Sequence, residues 1–388
     1  MSNILDYLAW RGDLPLTRDP FNKIDALLLS SLSYVDFAGV VPGIGGGRIT
    51  VEEAAIRFFE MHSEAELEND KSFINFGPVL LKALAASDRF KDAYLLNFID
   101  DTDISRGIQF AAVEIDTSDG IPFISFRGTD DTIIGWKEDF NLSFMTVPAE
   151  TEAADYLKKV MAARTDKYRI GGHSKGGHLA IYAVMAAPDD LSDRALDIFS
   201  FDGPGFNHEV MESEHFMTIQ PKITKVIPES SIVGRLLCNT TDPIVVKSNE
   251  LGIMQHLPLS WQLEGKEFET CDFTDKISDL FDDTMTTWLG EMDFEARKVF
   301  VDELFSVFEA SGCETLTAMT KVGLKGSKAM IERMRQIRND SGAKVKTLVK
   351  MFFINFNVLS GSIAKERLED GPLKIGLPDN LVKKNGKQ

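Results

Sequence analysis

The chain has 388 residues, 44% of them hydrophobic and 26% charged, the balance of a globular protein with a sizeable core. A net charge of −18 argues against a nucleic-acid binder, which needs a basic face to neutralise phosphates. Cys238, Cys271 and Cys313 are too scattered for a disulfide framework or a metal site. With no secretory-type leader and no apolar run near the ~18 residues of a membrane span, a soluble cytoplasmic protein is expected.

The first hundred residues present mainly helical patterns: NKIDALLLSSLSYVDF, TVEEAAIRFFEMH and GPVLLKALAAS. Thr50 and Glu53 have the spacing of a capping box. The period then changes. GIQFAAVEID and IPFISFRG are apolar, β-branched and aromatic runs around Thr-Ser-Asp-Gly, which predicts a hairpin. A helix follows in ETEAADYLKKVMAAR, then a short buried strand in KYRIGG and a small-residue helix in KGGHLAIYAVMAA. ALDIFSFDG, ITKVIP and PIVVKSN predict further strands, and WQLEG another. Strands alternating with helices over residues 100–270 predict an α/β domain with a mainly parallel sheet. Beyond residue 272 only helical patterns occur: KISDLFDDTMTTWLGEM, FEARKVFVDELFSVFEASG and a basic stretch, KGSKAMIERMRQIRNDSGAKVKTLVKMFFINF. Residues 315–388 hold 15 Lys and Arg against 6 Asp and Glu, a net of +9, while residues 1–314 carry −27. That asymmetry marks an appendage. The expected organisation is a domain over 1–271, with a helical lead-in 1–100 and a sheet core 101–271, and a helical extension over 272–388 ending in a frayed tail.

GGHSKGGHLA (171–180) lies between the strand of KYRIGG and the following helix. A Gly-x-Ser-x-Gly turn in that context lifts a serine Oγ clear of the backbone, and its glycines let strand and helix cross closely. The amide after the serine then points at a developing oxyanion from the positive end of a helix. Ser174 is the predicted nucleophile.

This stretch resembles the nucleophile turn of class 3 (fungal-type) lipases, G-H-S-L-G-G-A-L-A, with Lys175 and His178 in place of a leucine and an alanine. Four more blocks stand in lipase order, FRGTDDTIIGWKED (126–139) before it and FSFDGPGFN (199–207), KVIPESSIVGRLL (225–237) and GIMQHLPLSW (252–261) after it. The likeness covers residues 105–262. DYLAWRGDLPL, PFNKIDALLLSSLSY and IVVKSN…QHLPLSW also resemble a bacterial family of predicted lipase-like hydrolases. The resemblance implies an α/β-hydrolase fold. It assigns oxyanion-hole roles to Thr129 and the Lys175 amide, and a lid to Asp130–Lys137 whose Ile133, Ile134 and Trp136 would cover the site.

Among the six histidines, His256 follows the last core strands in the chain order serine, acid, histidine, and is the predicted general base. His173 occupies the x of Gly-x-Ser and should point away from the nucleophile. The lipase pattern puts its aspartate at Ser231, which cannot hold an imidazolium by charge. Asp202, ending the strand after the nucleophile helix, is therefore the favoured acid, with Asp242 and Glu229 as alternatives.

Other motifs carry less. VPGIGGGRIT lacks the full phosphate-binding patterns and reads as a loop before a capped helix. HEVMESEH aligns His208, Glu212 and His215 on a helical face, more a charged surface helix than a metal site. DDTD (100–103) reads as a solvated turn. Lys328, Arg335, Arg338, Lys344 and Lys346, with Met330, Met334, Leu348, Met351, Phe352 and Phe353, suit a helix that packs on the acidic body or lies on an anionic membrane. The expectation is a serine hydrolase of lipase or esterase type, without metal or cofactor, acting on an acyl ester or lipid. Lys175 would add a charge favouring anionic head groups. The rival readings are a non-catalytic lipid-binding scaffold on the same fold, and an acyltransferase or thioesterase on the same triad.

Overall fold

The computed structural model describes residues 2–63, 67, 75–103, 108–130, 132–142, 147–231, 233–237, 242–272, 292–315, 318–319, 324–337 and 343–355. The N-terminal part holds α1 (Ile4–Arg11), α2 (Lys23–Leu32), α3 (Val51–Met61) and α4 (Phe76–Ala85). Three of these start on the caps their sequences carry: Asn3 with Asp6, Asn22 with Asp25, and Thr50 with Glu53.

Eight strands form one sheet in chain order: β1 (Arg48–Thr50), β2 (Tyr94–Asp103), β3 (Ile108–Asp116), β4 (Phe123–Phe126), β5 (Tyr168–His173), β6 (Ala195–Phe201), β7 (Ile223–Pro228) and β8 (Ile244–Val246). The pairs from β1 to β4 are antiparallel, including the predicted hairpin, and those from β4 to β8 are parallel. Between strands run α5 (Ile133–Leu142), α6 (Pro148–Ala162), α7 (Lys175–Met185), α8 (Asp189–Ser192), α9 (His208–Met211) and α10 (Glu214–Ile219). A two-stranded ribbon, β9 (Leu263–Glu264) and β10 (Glu267–Phe268), follows. This is an α/β fold with a large, mostly parallel sheet between helices.

The strand order explains the lead-in. Parallel strands taken in sequence with crossovers of one hand put the connecting helices on one face. There Tyr156, Leu157, Leu179, Val184 and Phe206 pack on Phe126, Ile170 and Ile198. The opposite face needs a cover from elsewhere, and α1, α2 and α4 supply it with Ile24, Leu28, Leu32, Leu81 and Leu84, joined by Trp261 and Phe268.

Three departures from the sequence pattern stand out. β1 and β2 fall within the residues that present as helical. DDTD is the end of β2 and not a turn: Arg127 neutralises Asp100 at 2.7 Å, and Asp100–Asp103 pair with Ile108–Ala111. HEVMESEH is broken at Ser213, which caps α10, so His208 and His215 lie on separate short helices.

The C-terminal helices α11 (Phe294–Ala310), α12 (Leu324–Gln336) and α13 (Ala343–Asn355) build a second core from Phe300, Leu304, Phe305, Phe308, Met330, Met334, Leu348 and Phe353. Ile133, Trp136 and Phe140 of α5, with Val233 and Leu236, belong to the same core. Thus the apolar residues of the basic stretch pack inward, while Lys328 and Arg335 stay exposed. Arg338, the side chains of Lys344, Met351 and Phe352, most of KISDLFDDTMTTWLGEM and the terminal tail lie outside the described residues. No described helix is long and apolar enough to cross a membrane.

Candidate active site

Ser174 ends β5 and begins α7 with φ 58° and ψ −132°, a conformation that few non-glycine residues adopt. The flanking glycines are required by close approach. A Cβ on Gly172 would sit 2.3 Å from the Gly176 carbonyl carbon, and one on Gly176 would sit 2.0 Å from the Phe126 oxygen. The strand–turn–helix read from GGHSKGGHLA is thus formed, and its turn is held by the Ser174 amide bonding the Phe201 carbonyl at 2.8 Å.

That bond brings the end of β6 beside the serine. Asp202 comes next, also at positive φ (49°), and its Oδ2 accepts from His256 Nδ1 at 2.5 Å. With the carboxylate ionised, the proton sits on Nδ1 and Nε2 keeps its lone pair. His256 ends the 3-10 turn Gly252–His256. The alternative acids lie elsewhere. Glu229 faces the Ser248 amide and the Cys271 thiol, and Asp242 is exposed.

His173 packs its ring 4.5 Å from that of His256. Its Nε2 lies 2.8 Å from the His256 carbonyl, which can only accept, so Nε2 carries the proton and Nδ1 accepts from the Tyr34 hydroxyl at 2.9 Å. Burial, aided by the neighbouring His256, holds the His173 pKa well below the ordinary value and keeps the ring neutral. Lys225 on β7 is also buried, and burial pushes its pKa down to about 7 against the pull of Asp202.

Gly128 threads the segment of Thr129 past the serine: a Cβ there would be 2.6 Å from the His173 oxygen and 3.0 Å from Ser174 Cβ. Thr129 lies under the first turn of α5, its Cγ2 2.5 Å from where a Gly135 Cβ would stand. The Lys175 amide opens α7, while its ammonium reaches Gln109 on β3 at 3.3 Å.

Of the stretch read as a lid, Ile133–Lys137 is the start of α5, while Asp131 and the side chain of Ile134 lie outside the described residues. Trp136 meets the His256 ring edge-on at 5.3 Å. Helix α11 lies over it, with Phe140 against Phe305 at 5.3 Å and Lys137 paired to Asp302 at 2.8 Å. Ile133 also donates to the Glu314 carbonyl at 3.0 Å. The consequence is enclosure: Ser174 is 2% exposed, His256 3%, Asp202 1% and Thr129 5%.

Sequence reasoning missed a second acid–histidine pair behind the serine. His178 Nδ1 faces the Gly205 carbonyl at 3.1 Å and Nε2 faces Glu150 Oε1 at 2.9 Å, with Phe206 stacked on the ring at 4.1 Å. The carbonyl only accepts, so Nδ1 donates to it. The pair ties α7 to α6, and the Gly205 contact ties α7 to the loop after Asp202. Its signal in the sequence was His178 itself, a histidine where the lipase pattern has alanine. No group of His, Cys, Asp and Glu among the described residues is placed to hold a metal.

The model of the Mbeg1-like family matches residues 84–306. No curated protein matches, and no solved structure matches.

Proposed function

The chain belongs to the Mbeg1-like family, which is named as lipase-like, and from that premise we propose a serine hydrolase of α/β-hydrolase type that cleaves carboxylic esters of lipids. The observation that carries the reading is the His256–Asp202 bond beside a serine held at positive φ between β5 and α7.

In this reading Ser174 Oγ attacks the acyl carbonyl while His256 Nε2 takes its proton. Asp202 holds the imidazole in the required tautomer and balances its charge. The amide of Lys175, at the N-terminus of α7, and Thr129 stabilise the oxyanion. His256 returns the proton to the leaving alcohol, leaving an acyl-enzyme and a free alcohol. Water, deprotonated by His256, then releases the acid and restores the serine. The groups suffice without metal or organic cofactor. Because Lys175 directs its ammonium to Gln109, neutral acyl esters suit the site as well as anionic ones. Enclosure by α5 and α11 excludes water, so the cover must part for a lipid to enter.

A fluorophosphonate probe tests this. Wild type should be labelled and Ser174→Ala should not. A folded wild type that resists the probe, with and without lipid vesicles, would leave a non-catalytic lipid-binding protein as the better reading.

A further inference from the structure

We infer that Ser231, standing where class 3 lipases carry their acid, is a positioning residue that ties off Asp202; this rests on the triad proposed above. The Asp202 carboxylate has two oxygens with separate partners. Oδ2 faces His256. Oδ1 accepts a hydrogen bond from Ser231 Oγ and a second from the Gly234 amide at 3.1 Å. The Gly234 N–H also reaches Ser231 Oγ at 2.9 Å. A carboxylate cannot donate, so the hydroxyl proton must point at Asp202 and the hydroxyl lone pair must receive from Gly234. The chain of donors therefore has one direction and ends on the oxygen that His256 does not use.

The packing leaves no alternative at this spot. Ser231 is buried. A Cβ on Gly234 would stand 2.4 Å from Asp202 Oδ1 and 2.6 Å from Ile227 Cγ2, so only glycine brings its amide this close. The loop is anchored in turn. The Ser231 amide bonds the Pro228 carbonyl at 3.0 Å, and the Ser230 amide bonds Gln255 Oε1 at 2.9 Å. Gln255 precedes His256, so one loop holds the acid directly and the histidine through its neighbour. Asp202 also acts on Lys225 of β7, opposing the effect of burial on that ammonium. An aspartate at 231 would oppose Asp202 with a second buried carboxylate, and a hydroxyl there instead fixes which oxygen serves the histidine.

The test combines two readouts on full-length protein. The first is the far-downfield proton NMR resonance of His256 Nδ1–H, assigned by its loss in Asp202→Asn. The second is hydrolysis of a p-nitrophenyl acyl ester. Ser231→Ala should shift or broaden the resonance and lower kcat about 10- to 100-fold, with KM within about twofold, because a misaimed base slows chemistry without touching substrate binding. Ser231→Thr keeps the hydroxyl and should retain both signals. Ser231→Cys should lose them, which reads the hydroxyl even if the alanine variant does not fold. In an Asp202→Asn background, Ser231→Ala should cost less than about twofold, since both changes act on one group. An unchanged resonance, or an equal loss of kcat in both backgrounds, would overturn the proposal. If wild type hydrolyses nothing, the serine-hydrolase reading fails, and the resonance alone still decides whether Ser231 positions Asp202.

Discussion

The two walls of the site are built on different physics. The sheet wall, formed by the ends of β4 to β7, is held by backbone approach and directional bonds: Gly172 against Gly176, the Ser174 amide on Phe201, and Asp202 between His256 and Ser231. The cover wall, α5 beneath α11, is held mainly by apolar contact through Ile133, Trp136, Phe140 and Phe305. Directional bonds define one arrangement and fail when an atom moves by an ångström. Apolar packing tolerates sliding and separation as a unit. On the proposed function, a site that is buried at rest and admits a lipid uses both kinds of wall.

Substitutions can break this contrast or sharpen it. The largest effect is expected from Gly176→Ala, whose Cβ would lie 2.0 Å from the Phe126 oxygen. It should destabilise by about 4 kcal/mol or more, measured by denaturant unfolding, and abolish probe labelling at Ser174. Phe305→Ala removes a buried ring from the cover and should cost about 3–5 kcal/mol. Its labelling by fluorophosphonate should become faster, and slower labelling would refute the division into a fixed wall and a movable one.

Lys225→Met separates charge from shape beneath the sheet wall. In the folded protein Lys225 gives up its proton near 7, against an ordinary 10.5. Between those values the unfolded chain binds the extra proton, so stability rises with pH across that window, and below it the full burial penalty remains. The methionine variant should therefore melt a few degrees higher than wild type at about pH 6, with the gain shrinking towards about pH 10. The smallest effect belongs to Lys137→Ala. Its pair with Asp302 is 32% and 52% exposed and should contribute about 0–1 kcal/mol, lost further in salt. A larger loss would mean that the cover is pinned by charge and not by packing.

The features legible in the sequence were those whose causes are local. Gly172, Ser174 and Gly176 declare a turn because no other residues tolerate that crossing. Thr50 and Glu53 declare a helix start, and the apolar, β-branched and aromatic runs from 108 to 126 declare a hairpin. β2 was hidden because its last residues, Asp-Asp-Thr-Asp, read as solvated, and the Arg127 that neutralises Asp100 comes 27 positions later. Ser231 looked like a missing acid because spacing alone says nothing of what a hydroxyl faces. Its meaning depends on how β6 and β7 align, Phe201 beside Val226, which delivers Asp202 and the following loop to the same point. Glu150 gave no signal at all, since its partner lies on another helix.

The strictly sequential strand order sets a timetable for synthesis. Each strand of the sheet is released next to the one it pairs with, so the sheet can grow by addition at one edge as the chain emerges. Ser174, Asp202 and His256 are all out by residue 256, whereas the helix that lies over α5 begins at Phe294. The sheet wall and α5 are therefore made before α11, the helix that lies over them.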